Sequence, residues 1–163
     1  MAVLPAAIIA VLLAAYFLLL RYADAERSFI DRGHVLIGLF APATEYGVFS
    51  SNAGELRRLA SALLDEADVS GVLIHDRSGY PLASLGTRRF AGDPRALPDN
   101  WSETSADGNT QFFHIKIRPT HIDLGDPLPA AQETSRPETI GSITLELSRA
   151  GLQRLKREMM TVT

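Results

Sequence analysis

The first pattern along the chain is an uncharged apolar run at residues 2–20. At about 1.5 Å of rise per residue, a helix of this length reaches about 28 Å, close to the roughly 30 Å hydrocarbon core of a bilayer. Residues 23–25 resemble a signal-peptide cleavage site, but the apolar run is longer than a usual signal sequence and no basic residue precedes it. The pattern therefore predicts a retained transmembrane helix over residues 1–22.

Beyond this segment, mostly apolar positions recur at alternating steps of four and three, which predicts that the helix continues without a break. The stripe consists of Tyr22, Glu26, Phe29, Gly33, Leu36, Phe40 and Ala43. Spacing alone leaves two interpretations open, because such a stripe is either the seam of a dimer or the core face of a domain's first helix. Pro42 and Gly47 then predict a corner within residues 43–52.

An amphipathic helix is predicted at 53–68, where leucines share one face and charged residues the other. Segments that alternate apolar and polar residues then predict strands, and aperiodic segments predict loops. In chain order these are a strand-turn-strand at 71–86, a loop at 87–109, a strand at 110–118, a loop at 119–138, a strand at 138–148 and a helix at 149–163. The sum is an α+β domain in which an antiparallel sheet of about four strands packs on helices.

Composition excludes more functions than it indicates. The 16 basic and 19 acidic residues give a net charge of −3, without the strongly basic character typical of nucleic-acid binding. The absence of cysteine excludes disulfides and thiolate metal sites. No phosphate-binding loop, nucleophile elbow or HExxH motif is present. We therefore expect no catalytic residue, no metal site and no cofactor in this chain.

The polar face of the predicted sheet is the one surface with candidate binding chemistry. Phe113, Ile115 and Ile117 would face the helices, which leaves the alternate residues on the opposite side. The potential cations on that side are His75, His114, Lys116 and Arg118. A small carboxylate is the ligand that such a group would hold, with Arg118 as its main contact and His114 titrating near its ordinary pKa of about 6.5. The alternative, which alternation by itself favours, is a solvated sheet face.

Together these segments resemble the front of BarA/GacS-type hybrid sensor histidine kinases. The shared features are the early Pro5, the Arg21-Tyr22 pair, Gly33, the Glu45-Tyr46-Gly47 corner followed by Asn52, the strand-turn-strand VLIxDxxG, and the strand IGSITLEL at 140–147. Membrane-bound diguanylate cyclases use similar input domains, so the resemblance leaves the output domain open. A membrane-anchored pilin-like protein is a further alternative, although residues 2–20 lack the glutamate that pilins carry near the start of their helix.

The resemblance implies a periplasmic PAS-like (PDC/CHASE-like) sensor domain at 23–148 of an inner-membrane protein. It would lie between the transmembrane helix at 1–22 and an exit helix at 149–163 that leads toward a second transmembrane helix. The chain itself would not be an enzyme, although its parent protein would be a histidine kinase. Because the HAMP and kinase parts and the usual basic N-terminal residues are absent, we expect a truncated sequence.

The heptad-like spacing of the first helix, the capping residues and the resemblance together suggest roles for the helices and the corner. We expect a homodimer formed through the first helix and the exit helix. Glu45, Tyr46, Gly47 and Asn52 would form a signalling corner that folds the second helix back on the first. In this hypothesis Gly47 permits the backbone turn, Tyr46 buries its ring, and Asn52 caps the next helix.

Overall fold

The fold was analysed in a computed structural model, which describes residues 3–119 and 138–161. Its elements are α1 (Val3–Phe49), α2 (Ala53–Leu64), β1 (Val69–Asp76), β2 (Pro81–Gly86), β3 (Trp101–Thr104), β4 (Thr110–Ile117), β5 (Gly141–Ser148) and α3 (Ala150–Thr161). The predicted α+β fold is confirmed. The loop predicted at 119–138 lies almost entirely outside the described residues.

Helix α1 is continuous over 47 residues, as the uninterrupted apolar spacing predicted. Its first part is long and apolar enough to cross a membrane, by length and composition. Large side chains in that part, such as Leu12, Phe17 and Leu19, are exposed on the protein, which is the arrangement expected of a helix surrounded by lipid. The domain boundary predicted between residues 22 and 23 therefore falls inside one uninterrupted helix.

The five strands form one antiparallel sheet in the order β2-β1-β5-β4-β3. The strand β3 lies within the predicted loop 87–109, so the prediction of about four strands missed one. Four residues are too few to show alternation, and β3 is stabilised by its ladder with β4, in which Trp101 pairs with His114. Tertiary pairing rather than local pattern makes this segment a strand.

One face of the sheet packs against α1 and α2. Phe113, Ile143 and Leu145 are fully buried there, as the alternation predicted. The stripe on α1 lies on the same side, and Leu36 and Phe40 pack against this core. Of the two interpretations of the stripe, the core face is therefore the one the structure supports.

Gly33 allows α1 to approach the sheet closely. A Cβ atom built at this position would lie 2.2 Å from Cζ of the Phe113 ring. Since Phe113 is fully buried, its ring has no open space into which it can move. Gly33 is thus required by packing against β4, although glycine weakens a helix interior.

The corner predicted at 43–52 lies later and is shorter than expected. Helix α1 runs through Pro42 and ends at Phe49, and the turn consists of residues 50–52, where Ser51 has a φ of 52°. Proline and glycine are weak stop signals when packing favours the helix, and here α1 packs on α2 and Val48, beyond both residues, is buried in the core. The capping role of Asn52 is confirmed, because its Oδ1 accepts a hydrogen bond from the Glu55 amide at 3.2 Å.

The roles expected for Tyr46 and Gly47 are wrong. Tyr46 does not bury its ring but exposes it to solvent. Gly47 lies inside the helix, where an added Cβ would come within 2.6 Å of the Leu56 side chain. The glycine therefore permits close approach of α2 rather than a backbone turn, and Glu45 lies half-buried in the same last stretch of α1.

We predict that Gly33→Ala destabilises the domain by about 1–3 kcal/mol, because the methyl group overpacks the core against Phe113. Gly38→Ala on the same helix is the matched control, since no atom lies within 4 Å of its added Cβ. The control should be neutral or stabilising by up to about 1 kcal/mol, through helix propensity. Urea unfolding of the full chain in detergent measures both, and equal effects at the two positions would contradict the packing argument.

Candidate functional site

The polar face of the sheet is not solvated, because the segment 87–100 crosses it. His114, Thr144 and Glu146 on this face are almost completely inaccessible to solvent, and His75 is buried. Phe90 from the crossing segment packs edge-on against the ring of Phe112, with ring centroids 5.8 Å apart. We call this surface, with its buried polar residues His75, His114, Thr144 and Glu146, the covered face. The expectation of a solvated sheet face is therefore wrong.

Strand register brings the predicted residues of the covered face together. His75 on β1 and Lys116 on β4 both pair with Ser142 on the intervening strand β5. Two strand spacings therefore separate their Cα atoms, or about 10 Å. His114 lies on the next row of the same face, opposite Thr144. Three of the four predicted residues thus occupy one patch.

His114 is buried as a neutral imidazole. Burial, together with the positive charge of Lys116, lowers the pKa of His114 to about 4. Its Nδ1 lies 3.0 Å from the Thr144 hydroxyl, but its Nε2 is buried without a hydrogen-bond partner among the described residues. The expected titration of this group near its ordinary value is therefore wrong, because the covered face excludes the water that would solvate a charged ring.

Two more polar atoms of this region are buried without a partner in the described part of the chain. They are Nδ1 of His75 and Oγ of Ser84 on β2. Burial lowers the pKa of His75 as well, so this ring also favours its neutral form. Ser84 pairs with Leu73, one row from His75, and lies on the same side of the sheet. Buried polar atoms nearly always find a partner, so this group indicates a place for a polar molecule.

Arg118 lies at the edge of this patch and already has an acidic partner. Its guanidinium Nη2 lies 2.7 Å from Oδ2 of Asp99, and the other oxygen of Asp99 accepts a hydrogen bond from the Lys116 amide at 2.9 Å. Arg118 is exposed, so it does not share the burial of the two histidines. The sequence predicted a ligand carboxylate for Arg118, whereas in the structure its guanidinium is paired with Asp99 of the same chain.

Lys116 lines two cavities. One, of about 140 Å³, is lined by Asp76, Arg77, Pro94, Arg95, Lys116, Thr139, Gly141 and Ser142. The other, of about 220 Å³, lies between α1 and β4 and includes Pro42, Asp99 and Arg118. Arg95 pairs with Asp93 at 2.8 Å, whereas the Lys116 ammonium has no ion pair with a described residue. Of the basic residues that line these two cavities, Lys116 is therefore the one best placed to bind an anion.

Glu146 holds the crossing segment against the sheet, a role that sequence reasoning did not identify. One carboxylate oxygen accepts hydrogen bonds from the Arg89 and Phe90 amides at 2.9 and 2.8 Å. The other accepts one from the Thr87 hydroxyl at 2.8 Å. The available signal was a glutamate between leucines in a central strand, because a buried carboxylate requires several donors.

Two further contacts connect this region to the helices. Oδ1 of Asn100, at the end of the crossing segment, accepts a hydrogen bond from Nδ1 of His34 on α1 at 3.1 Å. Arg149, directly after β5, forms a salt bridge with Glu26 of α1 and donates a hydrogen bond to the Thr104 hydroxyl at 2.9 Å. The segment over the covered face and the start of α3 are thus both attached to the first helix.

The neutral burial of His114 predicts pH-dependent stability. Its pKa in the folded chain is below the ordinary value of about 6.5, so the unfolded chain binds more protons between the two values. The stability is complete above about pH 6.5 and is lost as the pH falls toward 4. We expect a loss of about 2 kcal/mol between pH 7 and pH 5 in urea unfolding. His114→Gln should flatten this dependence, and an unchanged slope would contradict the assignment.

The contacts of Glu146 predict that Glu146→Gln loosens the crossing segment. The amide group replaces one acceptor oxygen with a donor that faces another donor, which should cost about 1–3 kcal/mol. Hydrogen exchange of a peptide spanning residues 87–90 should accelerate, while exchange in α2 should change less. Glu103→Gln on β3 is the control, because Glu103 is exposed and should leave exchange at 87–90 unchanged.

The chain resembles known sensor proteins over most of its length. It is 27% identical over 152 residues to the sensor histidine kinase GacS of Pseudomonas protegens, and 23% identical over 150 residues to the sensor protein GacS of Pseudomonas syringae pv. syringae. Each comparison covers 91% of this chain but 16% of the relative. The profile of the single cache domain 4 family matches residues 19–157. The chain therefore belongs to the single cache domain 4 family of sensor domains.

Proposed function

We propose that this chain is the periplasmic ligand-sensing input module of a membrane-bound sensor histidine kinase. Its membership of a cache family and its similarity to two GacS proteins support a sensor role. The first helix would anchor the domain in the inner membrane, and a kinase in the longer protein would provide the output. The observation that carries the proposal is the set of unpartnered polar atoms beneath the crossing segment.

Ligand binding would supply hydrogen-bond partners for polar atoms that are buried without one on the covered face. Nδ1 of His75 and Nε2 of His114 lack hydrogen-bond partners among the described residues, and each such group costs about 1–3 kcal/mol when desolvated. A polar ligand that reaches these atoms would recover that energy. The cavity of about 140 Å³ meets the covered face at Lys116 and Ser142 but is not lined by the histidines, so the crossing segment would have to shift for a ligand to reach them.

A small carboxylate is the ligand class that fits best. The histidines are neutral and can each offer one donor or acceptor, while Lys116 supplies a positive charge beside them. In this arrangement Lys116 is the primary contact, and His75 and His114 orient the ligand. Arg118 would contribute only if a ligand displaced the Asp99 carboxylate from its guanidinium.

A route for the signal runs from this face to both helices. Ligand contacts on the crossing segment would act through Glu146 on β5, and β5 leads directly into α3. Arg149 at that junction is bound to Glu26 of α1. A change in the crossing segment would therefore bias the position of α3 relative to α1, which is a movement that two packings of one domain can provide.

We predict that Lys116→Ala weakens carboxylate binding about 10- to 150-fold, since a charge-assisted hydrogen bond is worth about 1.5–3 kcal/mol. Thermal-shift and calorimetric titrations of the full chain in detergent with acetate, succinate and citrate measure it. Arg118→Ala should have a smaller effect, because Asp99 already occupies that guanidinium.

Arg57→Ala on the exposed side of α2 controls for a general loss of charge. It should bind as the parent chain does. If none of the three carboxylates raises the melting temperature of the parent chain, or if Lys116→Ala binds them equally well, the proposed ligand class is wrong.

A further inference from the structure

The cavity of about 220 Å³ between α1 and β4 is separate from the four buried polar residues that define the covered face, since none of them lines it. Helix α1 contributes Gly38, Ala41 and Pro42 to its wall, and β4 contributes Ile115 and Ile117. Gly38 and Pro42 are exposed, so the cavity opens to solvent. An apolar cavity of about 150 Å³ is large enough to hold benzene, so this one has room for a monocyclic molecule.

Small residues on α1 and a short neighbouring strand create this space. No atom lies within 4 Å of a Cβ built at Gly38, and Ala41 extends only a methyl group toward β4. Strand β3 pairs with β4 only at residues 111–114, so no described strand flanks the edge of β4 at 115–117. The cavity therefore follows from the composition of the helix and the length of the strand.

Pro42 adds a hydrogen-bond acceptor to the cavity wall. In an α-helix the carbonyl oxygen of residue 38 accepts a hydrogen bond from the amide of residue 42, but proline has no amide hydrogen. Because α1 continues through Pro42, the Gly38 carbonyl oxygen lacks its usual helical donor. Both residues line the cavity, so a hydrogen-bond donor on a ligand would find its acceptor there.

The charged part of the lining carries a net positive charge. Arg118 and Asp99 form an ion pair at 2.7 Å and neutralise each other. Lys116, which also lines the cavity, forms no ion pair with a described residue. Charge complementarity therefore favours a negatively charged group on the ligand, beside the Lys116 ammonium.

We propose that this cavity binds a small hydroxylated aromatic acid. Its ring packs against Ile115 and Ile117, its carboxylate meets Lys116, and its hydroxyl group donates a hydrogen bond to the Gly38 carbonyl oxygen. An aliphatic dicarboxylate such as succinate would leave the two isoleucines without an apolar partner and the carbonyl oxygen without a donor.

The two candidate sites share one residue and differ in the others. Lys116 lines this cavity as well as the one that meets the covered face, so its substitution affects both. Gly38 and Pro42 line only the cavity between α1 and β4. Substitutions at these two positions therefore test the new site without altering the covered face.

Calorimetric titration of the full chain in a neutral detergent, with meta- and para-hydroxybenzoate as probes, tests the proposal. Gly38→Leu fills the cavity and should weaken the binding of the probes at least about tenfold. Ala43→Leu, exposed on the same helix and outside the cavity lining, is the matched control and should bind as the parent chain does. If neither probe binds the parent chain, or if Gly38→Leu keeps the parent affinity, the proposal is overturned.

Titration with succinate separates this inference from the ligand class proposed for the covered face. Gly38→Leu should leave the affinity for succinate unchanged, because Gly38 does not line the cavity that meets the covered face. A parent chain that binds hydroxybenzoate but not succinate would contradict the covered-face proposal alone. A parent chain that binds succinate but neither hydroxybenzoate would contradict this inference alone.

Pro42→Ala tests the hydrogen bond to the Gly38 carbonyl oxygen. Alanine restores the amide hydrogen at position 42, so the carbonyl oxygen regains its helical donor and loses its role as a ligand contact. Affinity for the hydroxybenzoates should fall about 3- to 10-fold, whereas benzoate, which has no hydroxyl group, should bind the parent chain and the variant equally. The melting temperature should not fall, because the substitution strengthens the helix. An equal loss of affinity for benzoate would overturn the assigned hydrogen bond.

Discussion

Covering both faces of one antiparallel sheet is the constraint on which the other features depend. Helices α1 and α2 cover the apolar face, and the segment 87–100 covers the polar face. Polar side chains of β5 and of its two neighbours, β1 and β4, are therefore removed from water. A covered polar face is costly unless its groups find partners. Glu146 finds them in the crossing segment, whereas one nitrogen of His114 finds none among the described residues.

The same covering connects the candidate ligand site to the helices. Glu146 holds the crossing segment and lies three residues before Arg149, which in turn binds α1 through Glu26. The crossing segment is held by the hydrogen bonds to Glu146, by the packing of Phe90 on Phe112, and by the contacts of Asp99 and Asn100 near its end. The fold therefore places the crossing segment next to the strand that enters α3.

Helix α1 is apolar on two sides beyond the uncharged run. Its inner side needs small residues at the points of closest approach, and Gly33 and Gly47 meet the side chains of Phe113 and Leu56 there. Its outer side carries large residues that nothing in the described part of the chain covers. Sequence spacing alone cannot separate these sides, since apolar residues recur at steps of three and four on both, and only packing shows which side meets the sheet.

The sequence by itself determined the features that depend on local pattern: the apolar first helix, the capping by Asn52, the four longer strands, the inward direction of Phe113 and the family resemblance. Tertiary structure decided the features that depend on distant partners. The short strand β3 exists through its ladder with β4, and α1 continues past Pro42 because α2 packs against its end. His114 is neutral because the segment 87–100 buries it, and Arg118 is paired because Asp99 in the same segment contacts its guanidinium. Burial and charge pairing are properties of assembled elements, so alternation could place these residues on one face but could not indicate what lies above them.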